Sequence, residues 1–399
     1  MSLYDRVTRL NDAPIRDGAR HVLYWARTNR RTDSNHALSY ALELAGERNL
    51  PVVFREEPYP SPVDRFQKFV KQAAHETKMS LDGSGIRYAY GSIADLARGA
   101  AAVVTDDHPL LTAPPKLEVA CFAVDSSCIV PVRTFEKREY GAYTIRPKIR
   151  KVLDKYLQPA PKTVAADGSR TAVKQLDHFL EHNLHRYSAL KNEPSAHATS
   201  GLSPYLHFGH ISSLEVALKV RDYAAKHGLM ADEFLEELIV RRELAFNYAR
   251  FAKNPESFDN LPDWARQTLH EHVRDKRKYL YSRDDFMAAE THDPLWNATQ
   301  KEMLATGKIH GYYRMYWGKK VLEWSRTPEE AVETMVHIHD HWALDGRDPC
   351  TYANILWCLG LHDRPWPERP IFGKVRYMSY EGMRRKTDVD AYIREIGEL

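Results

Sequence analysis

The chain has 399 residues, 43% of them hydrophobic, with 57 Lys plus Arg against 54 Asp plus Glu and a formal net charge of +3. At about 150 residues per domain this gives two or three domains of ordinary globular composition, which excludes a disordered or fibrous chain. So small a charge excess neither requires nor excludes a nucleic-acid partner, because a basic face can hide in a near-neutral total.

The first residues, MSLYDRVTRLN, contain no apolar core of the secretory kind. No stretch approaches the roughly 18 apolar residues of a membrane span, so a protein without membrane contact is expected. Cys121, Cys128, Cys350 and Cys358 form no Cys-x-x-Cys pair. They read as scattered reduced thiols of a cytoplasmic protein rather than ligands of zinc or an iron–sulfur cluster, and no metal is expected.

In chain order, 21–25 (HVLYW) reads as a buried strand, 36–45 (HALSYALELA) as a helix and 51–54 (PVVF) as a second strand. Residues 64–79 carry apolar side chains at helical spacing, and 86–90, 101–105 and 121–124 are further short apolar runs. This alternation predicts an α/β, Rossmann-like domain over 1–131 with a parallel sheet. It contains no Gly-x-Gly-x-x-Gly and no Gly-x-x-x-x-Gly-Lys-Ser/Thr, so a standard dinucleotide or P-loop site is not supported. From 132 to 170 the pattern weakens, with Pro147, Pro159 and Pro161 as punctuation, and a connector is expected. From 171 to 399 a larger all-helical domain is expected, with 231–252 and 312–325 as its clearest helices.

Every tryptophan except Trp25 lies in that helical part. Trp317 and Trp324 are seven residues apart, about two turns, so their rings share one helix face. Spacing alone reads this as a core stripe, although a line of indoles can also relay electrons or stack on bases. The segment 199–212 (TSGLSPYLHFGHIS) is rich in small hydroxyl residues before a helix. Ser203 and Pro204 fit an N-cap and first helical position, and the same exposed N–H groups and hydroxyls can hold phosphate. Glu237 precedes Arg241 by four residues, the spacing of a surface ion pair. The turn 345–349 (DGRDP) either closes a helix or binds a polar edge. Arg369, Lys374, Arg376, Arg384, Arg385 and Lys386 alternate with Phe372, Tyr377 and Tyr380, a pattern either of a solvated face or of a surface that grips a nucleic-acid backbone.

Together 202–209 (LSPYLHFG), 237–244 (ELIVRREL), 292–298 (HDPLWNA), 307–311 (GKIHG), 314–317 (RMYW), 344–349 (LDGRDP) and 369–378 (RPIFGKVRYM) resemble the photolyase/cryptochrome family, in particular its class II branch. These segments span the helical part nearly end to end and in order. The α/β part is similar more loosely, through 104–106 (VTD) and 140–148 (YGAYTIRPK).

The resemblance implies non-covalent FAD in a folded conformation. Thr199, Ser200, Leu202 and Ser203 would line its phosphates with Tyr187 nearby, and Arg314 and Asp345 would pair beside the isoalloxazine. It implies an electron relay through Trp317, Trp296 and Trp324, an acid at Glu237 that hydrogen-bonds a pyrimidine dimer, and a dimer pocket lined by Met315 and Trp357. Asn192 would contact the substrate, and Arg364 and Trp366 would fill the gap left by a flipped lesion. The implied activity is light-driven splitting of cyclobutane pyrimidine dimers in double-stranded DNA, a carbon–carbon lyase reaction of a monomer.

The chain also departs from the family's pattern. His339, in 337–340 (HIHD), stands where the family usually places an Asn facing flavin N5, and Cys350 and Lys191 replace a further Asn and an Arg. The runs 25–31 (WARTNRR) and 106–109 (DDHP) depart as well, so an antenna chromophore is not supported. His339 and Cys350 motivate a second reading, a cryptochrome-like signalling flavoprotein; a third is a flavoenzyme acting on a small molecule.

Overall fold

The computed structural model describes residues 3–59, 61, 63–163 and 170–398; residues 164–169, at the end of the expected connector, lie outside them. The chain divides into two compact units. One comprises Met1–Lys137, Arg146–His182 and Ser200–Glu243, and the other Arg138–Ile145, Asn183–Thr199 and Leu244–Leu399.

The first unit is built on a six-stranded sheet of β1 (Val7–Arg9), β2 (His21–Ala26), β3 (Val52–Glu56), β4 (Arg87–Tyr88), β5 (Ala100–Asp106) and β6 (Ala120–Val124), in the order β1-β6-β5-β2-β3-β4. All pairs are parallel except β1 with β6. β2, β5 and β6 are buried along their whole length, because helices cover both faces of a parallel sheet. Val22, Tyr24 and Ala26 pack into one core with helix His36–Gly46, while Leu23 and Trp25 pack into another with helix Ile93–Arg98. Strand β1 carried no sequence signal: three residues at an edge, ending in exposed Arg9, bury too little to show alternation.

The stretch expected as a connector contains a helix, Ala142–Tyr156, with Pro147 inside it. The missing Pro147 N–H leaves the Tyr143 carbonyl without its intrahelical donor, and Tyr143 is 64% exposed, so water can serve it. The predicted 231–252 helix is also not uniform. It runs as Asp232–Leu235, then a π-helical segment Glu236–Arg241, then Arg242–Phe251.

Within the first unit, Gly209 has φ +66° and meets the turn after β2. A Cβ there would stand 2.6 Å from Asn29 Cα and closer still to the Thr28 carbonyl oxygen. Both the backbone conformation and the space require glycine.

The second unit is helical. Its principal helices are Pro294–Thr306, Gly311–Trp324, Pro328–Trp342 and Pro349–Trp357. Three begin with proline, after Asp293, Thr327 and Asp348 as capping residues, since the missing proline N–H is not needed in a first helical turn. Trp25 is a core residue as expected, whereas Trp264 and Trp342 are half-buried. Among the described residues no helix is long and apolar enough to cross a membrane.

Two outcomes test this account. Gly209→Ala is expected to destabilise the protein by about 3 kcal/mol or more, read from urea unfolding. Glu243 is buried, accepts hydrogen bonds from the Ile129 and Val130 N–H groups, and burial pushes its carboxyl up to about 8. A raised carboxyl opposes folding where the unfolded chain is ionised, so stability falls as pH rises from the ordinary carboxylate range through 8. Glu243→Gln should therefore gain on the wild type in urea midpoint between pH 6 and pH 9.

Candidate functional site

The densest chemistry in the second unit begins at Asp293. Its carboxylate caps helix Pro294–Thr306 by accepting the Trp296 N–H at 2.9 Å and also accepts the Tyr316 hydroxyl. One side chain thus fixes the start of the helix carrying Trp296 against the helix carrying Trp317 and Trp324. The Trp296 ring stacks on Trp317 at 5.7 Å with an interplanar angle of 12°, and meets Trp324 edge-on at 6.1 Å. Trp296 Nε1 donates to the Trp317 carbonyl, and Trp317 Nε1 donates to Gln300 Oε1, both at 3.0 Å. The face shared by Trp317 and Trp324 is as the spacing predicted. That Trp296, from another helix, sits against both rings was set by packing.

The series continues inward. The fully buried His339 imidazole meets Trp317 edge-on at 5.0 Å. His339 Nδ1 lies 2.9 Å from the Met335 carbonyl oxygen, which can only accept, so Nδ1 carries the proton and Nε2 presents a bare lone pair. That Nε2 is buried and has no partner among the described residues. His310 has the opposite arrangement: its Nδ1 accepts the Tyr312 N–H at 3.2 Å, so its buried Nε2, without a partner among the described residues, is a donor. Burial holds both imidazoles neutral, each pushed down to about 4. Beside them Arg314 Nη2 donates to both Asp345 oxygens at 3.0 and 3.1 Å, and Arg314 Nε is buried without a partner among the described residues. A buried acceptor, a buried donor and an ion pair with a spare N–H suit a flat heterocycle carrying both N–H and C=O groups, and so fit FAD.

Further along, Trp357 ends helix Pro349–Trp357 and Met315 lies on Gly311–Trp324, both half-buried. The Cys358 thiol faces the Met315 carbonyl at 3.9 Å. The basic segment of the sequence is ordered around aromatic rings. Arg376 lies 5.8 Å over Trp357 and 5.1 Å over Trp366, Arg364 lies 5.3 Å over Trp366, and Arg369 lies 5.4 Å over Tyr377. Trp366 Nε1 reaches the Asp363 carboxylate at 3.3 Å. Asn192 is exposed, and Lys191 stands 5.8 Å over the half-buried Tyr187 ring. Thr199 is half-buried.

In the first unit Ser200 is half-buried, Leu202 is buried and Ser203 is exposed. The cap expected at Ser203 is at Leu202 instead, with Ser203 and Pro204 inside helix Ser203–His207 and no side-chain cap. The cause is local: the Leu202 N–H turns back to Ser200 Oγ, and the Ser200 carbonyl accepts from Gln175, which starts the helix one residue early. Glu237 is exposed on the π-helical segment. Its expected partner Arg241 lies instead 3.6 Å from Glu236, which also holds Arg146 through two bonds of 2.7 and 3.0 Å. A π turn brings residues five apart into line, which moves Arg241 from the fourth residue back to the fifth.

Three neighbours of these rings were not singled out from the sequence: Lys319, beneath Trp357, and Tyr281 and His292, which flank Trp324 at 5.6 and 4.9 Å. Their types are common on any helix surface, and only the packing gives them a shared place.

No family model matches the chain. It is 37% identical to the deoxyribodipyrimidine photo-lyase of Methanothermobacter thermautotrophicus, covering 99% of this chain and 98% of that one. It is 36% identical to the enzyme of the same name from Oryza sativa, covering 95% and 88%. The fold is similar to a class III photolyase from Agrobacterium tumefaciens, with TM-score 0.69 and 17% identity over 97% of this chain and 88% of that chain. It is also similar to a cryptochrome from Synechocystis, with TM-score 0.70 and 15% identity over 96% and 89%. The architecture, a mainly parallel sheet with helices followed by a larger helical part, is that of these photolyase and cryptochrome structures. The chain belongs to the photolyase/cryptochrome family, as a diverged member.

The His339 assignment is directly measurable. Nitrogen NMR should show Nδ1 protonated and Nε2 bare from pH 8 to pH 5. Because its folded value lies below 6.5, the unfolded chain takes up the proton first, so the stability His339 contributes is present above pH 6.5 and lost as pH falls toward 4. His339→Asn should reduce the drop in urea midpoint between pH 7 and pH 5.

Proposed function

We propose that the protein binds FAD and, under blue light, splits cyclobutane pyrimidine dimers in DNA as a class II type deoxyribodipyrimidine photo-lyase. The observation that carries this reading is the continuous ring series His339, Trp317, Trp296, Trp324, with ring centroids 5.0, 5.7 and 6.1 Å apart, beside the Arg314–Asp345 pair. FAD, when bound, supplies light absorption and the single electron that the dimer receives and returns.

The chain's residues take the remaining tasks. Arg314, Asp345 and His339 orient the ring system, while Tyr187, Thr199, Ser200, Leu202 and Ser203 serve the phosphate side. Trp317, Trp296 and Trp324 carry reducing equivalents inward. Glu237 hydrogen-bonds the dimer, whose walls are Met315 and Trp357. Asn192, Arg364 and Trp366 hold the DNA. Support for a DNA-facing surface comes from the alternation of Arg364, Trp366, Arg376 and Trp357, cations and rings in mutual contact. The dimer must leave the stack to be reached, and a damaged, poorly paired base leaves most cheaply. We propose further that the protein acts as a cytoplasmic monomer.

A second reading, a blue-light signalling flavoprotein, is favoured by one observation: the fixed tautomer of His339 next to Trp317, where the family usually has Asn.

Blue-light irradiation of dimer-containing DNA with the reduced protein should restore intact pyrimidines. Failure to do so with FAD bound rejects repair in favour of signalling. Glu237→Gln should lower repair per photon about tenfold or more with dark DNA binding retained. Trp324→Phe should slow photoreduction of oxidised FAD several-fold, and an unchanged rate removes Trp324 from the relay.

A further inference from the structure

Lys319 lies on helix Gly311–Trp324 and is fully buried. A buried ammonium carries a large desolvation cost unless it is paired. Among the described residues no carboxylate forms an ion pair with it. Its Nζ donates instead to the Cys358 carbonyl at 2.6 Å and stands 5.3 Å over the Trp357 ring. The approach is set by the neighbouring Gly318, where a Cβ would lie 2.7 Å from Cys358 Sγ and 3.1 Å from Met335 Sδ. Arg376 lies over the same indole, so one half-buried ring is held by two cations. An indole face is negative, and nearby cations draw on that charge.

A cyclobutane dimer has lost the 5,6 double bonds of its pyrimidines, so it presents carbonyl oxygens rather than aromatic faces. Against an ordinary indole those oxygens meet like charge. We propose that Lys319 is a positioning residue for lesion recognition: its ammonium pins the Trp357 ring and draws on the negative charge of the indole, so that the ring accepts the dimer in preference to intact pyrimidines. This rests on the reading of Trp357 as a wall of the dimer pocket.

The charge is titratable. Burial pushes the Lys319 ammonium down to about 8, helped by the charge of Arg376 and opposed by Asp363 and the Cys358 thiol, itself pushed up to about 11 by burial. The ammonium is therefore present at neutral pH and lost as pH rises through 8.

The test is dark binding, by fluorescence anisotropy, of an oligothymidylate with one cyclobutane dimer and of the same oligomer undamaged, between pH 7 and pH 9.5. The expected result is a wild-type affinity ratio that falls several-fold to about tenfold, centred near pH 8. Lys319→Arg should keep the ratio at pH 9.5, and Lys319→Met should give a low, pH-independent ratio. The wild-type titration alone decides the matter if either variant fails to fold. A substantial ratio that stays flat with pH overturns the role of Lys319 and leaves the repair reading intact. No preference for the dimer at any pH overturns both.

Discussion

Asp293 is the constraint on which the helical unit depends. A single carboxylate closes the first turn of helix Pro294–Thr306 and holds the Tyr316 hydroxyl of the next helix. A cap is worth about 1 kcal/mol by itself. Here it also fixes the register between two helices, and through that register the stacking of Trp296 on Trp317. With Trp296 and Trp317 fully buried, a shift of one residue would leave either a void or a clash, each costing several kcal/mol. The ring series is therefore held by packing, which is also what short, fixed ring-to-ring distances require.

Around this series the unit distributes polarity with care. The imidazoles of His310 and His339 are both held neutral with a buried Nε2, yet one presents a donor and the other an acceptor, because each has its Nδ1 committed to a different backbone group. Arg314 and Asp345 neutralise each other alongside. Lys319 is the exception, a buried ammonium held by a carbonyl and an indole. Polar atoms left without partners cost free energy where water is excluded, and the three on His310, Arg314 and His339 are what supports the proposed place of FAD.

Some of this was legible in the sequence. The strands β2, β3, β5 and β6 were readable because they are buried on both faces and so appear as unbroken apolar runs. The helix holding Trp317 was readable over 312–325 from its periodicity, within two residues of the observed Gly311–Trp324. Strand β1 and helix Ala142–Tyr156 were not: one is too short and polar, and the other contains Pro147, a residue that ordinarily argues against a helix. The π-helical segment at Glu236–Arg241 was equally hidden, since its apolar residues are compatible with either period, and with it the pairing of Arg241 with Glu236.

The sequence by itself determined the family, the α/β-then-helical order and the residue types available for chemistry, because motifs, capping signals and apolar runs are local properties of the chain. The tertiary structure decided which of those residues act together. It placed Trp296 against both Trp317 and Trp324, fixed the tautomer of His339 through the Met335 carbonyl, and put Lys319 and Arg376 over one indole. Those are contacts between helices distant in sequence. Their distances follow from how side chains fill the space between helices, which no local pattern encodes.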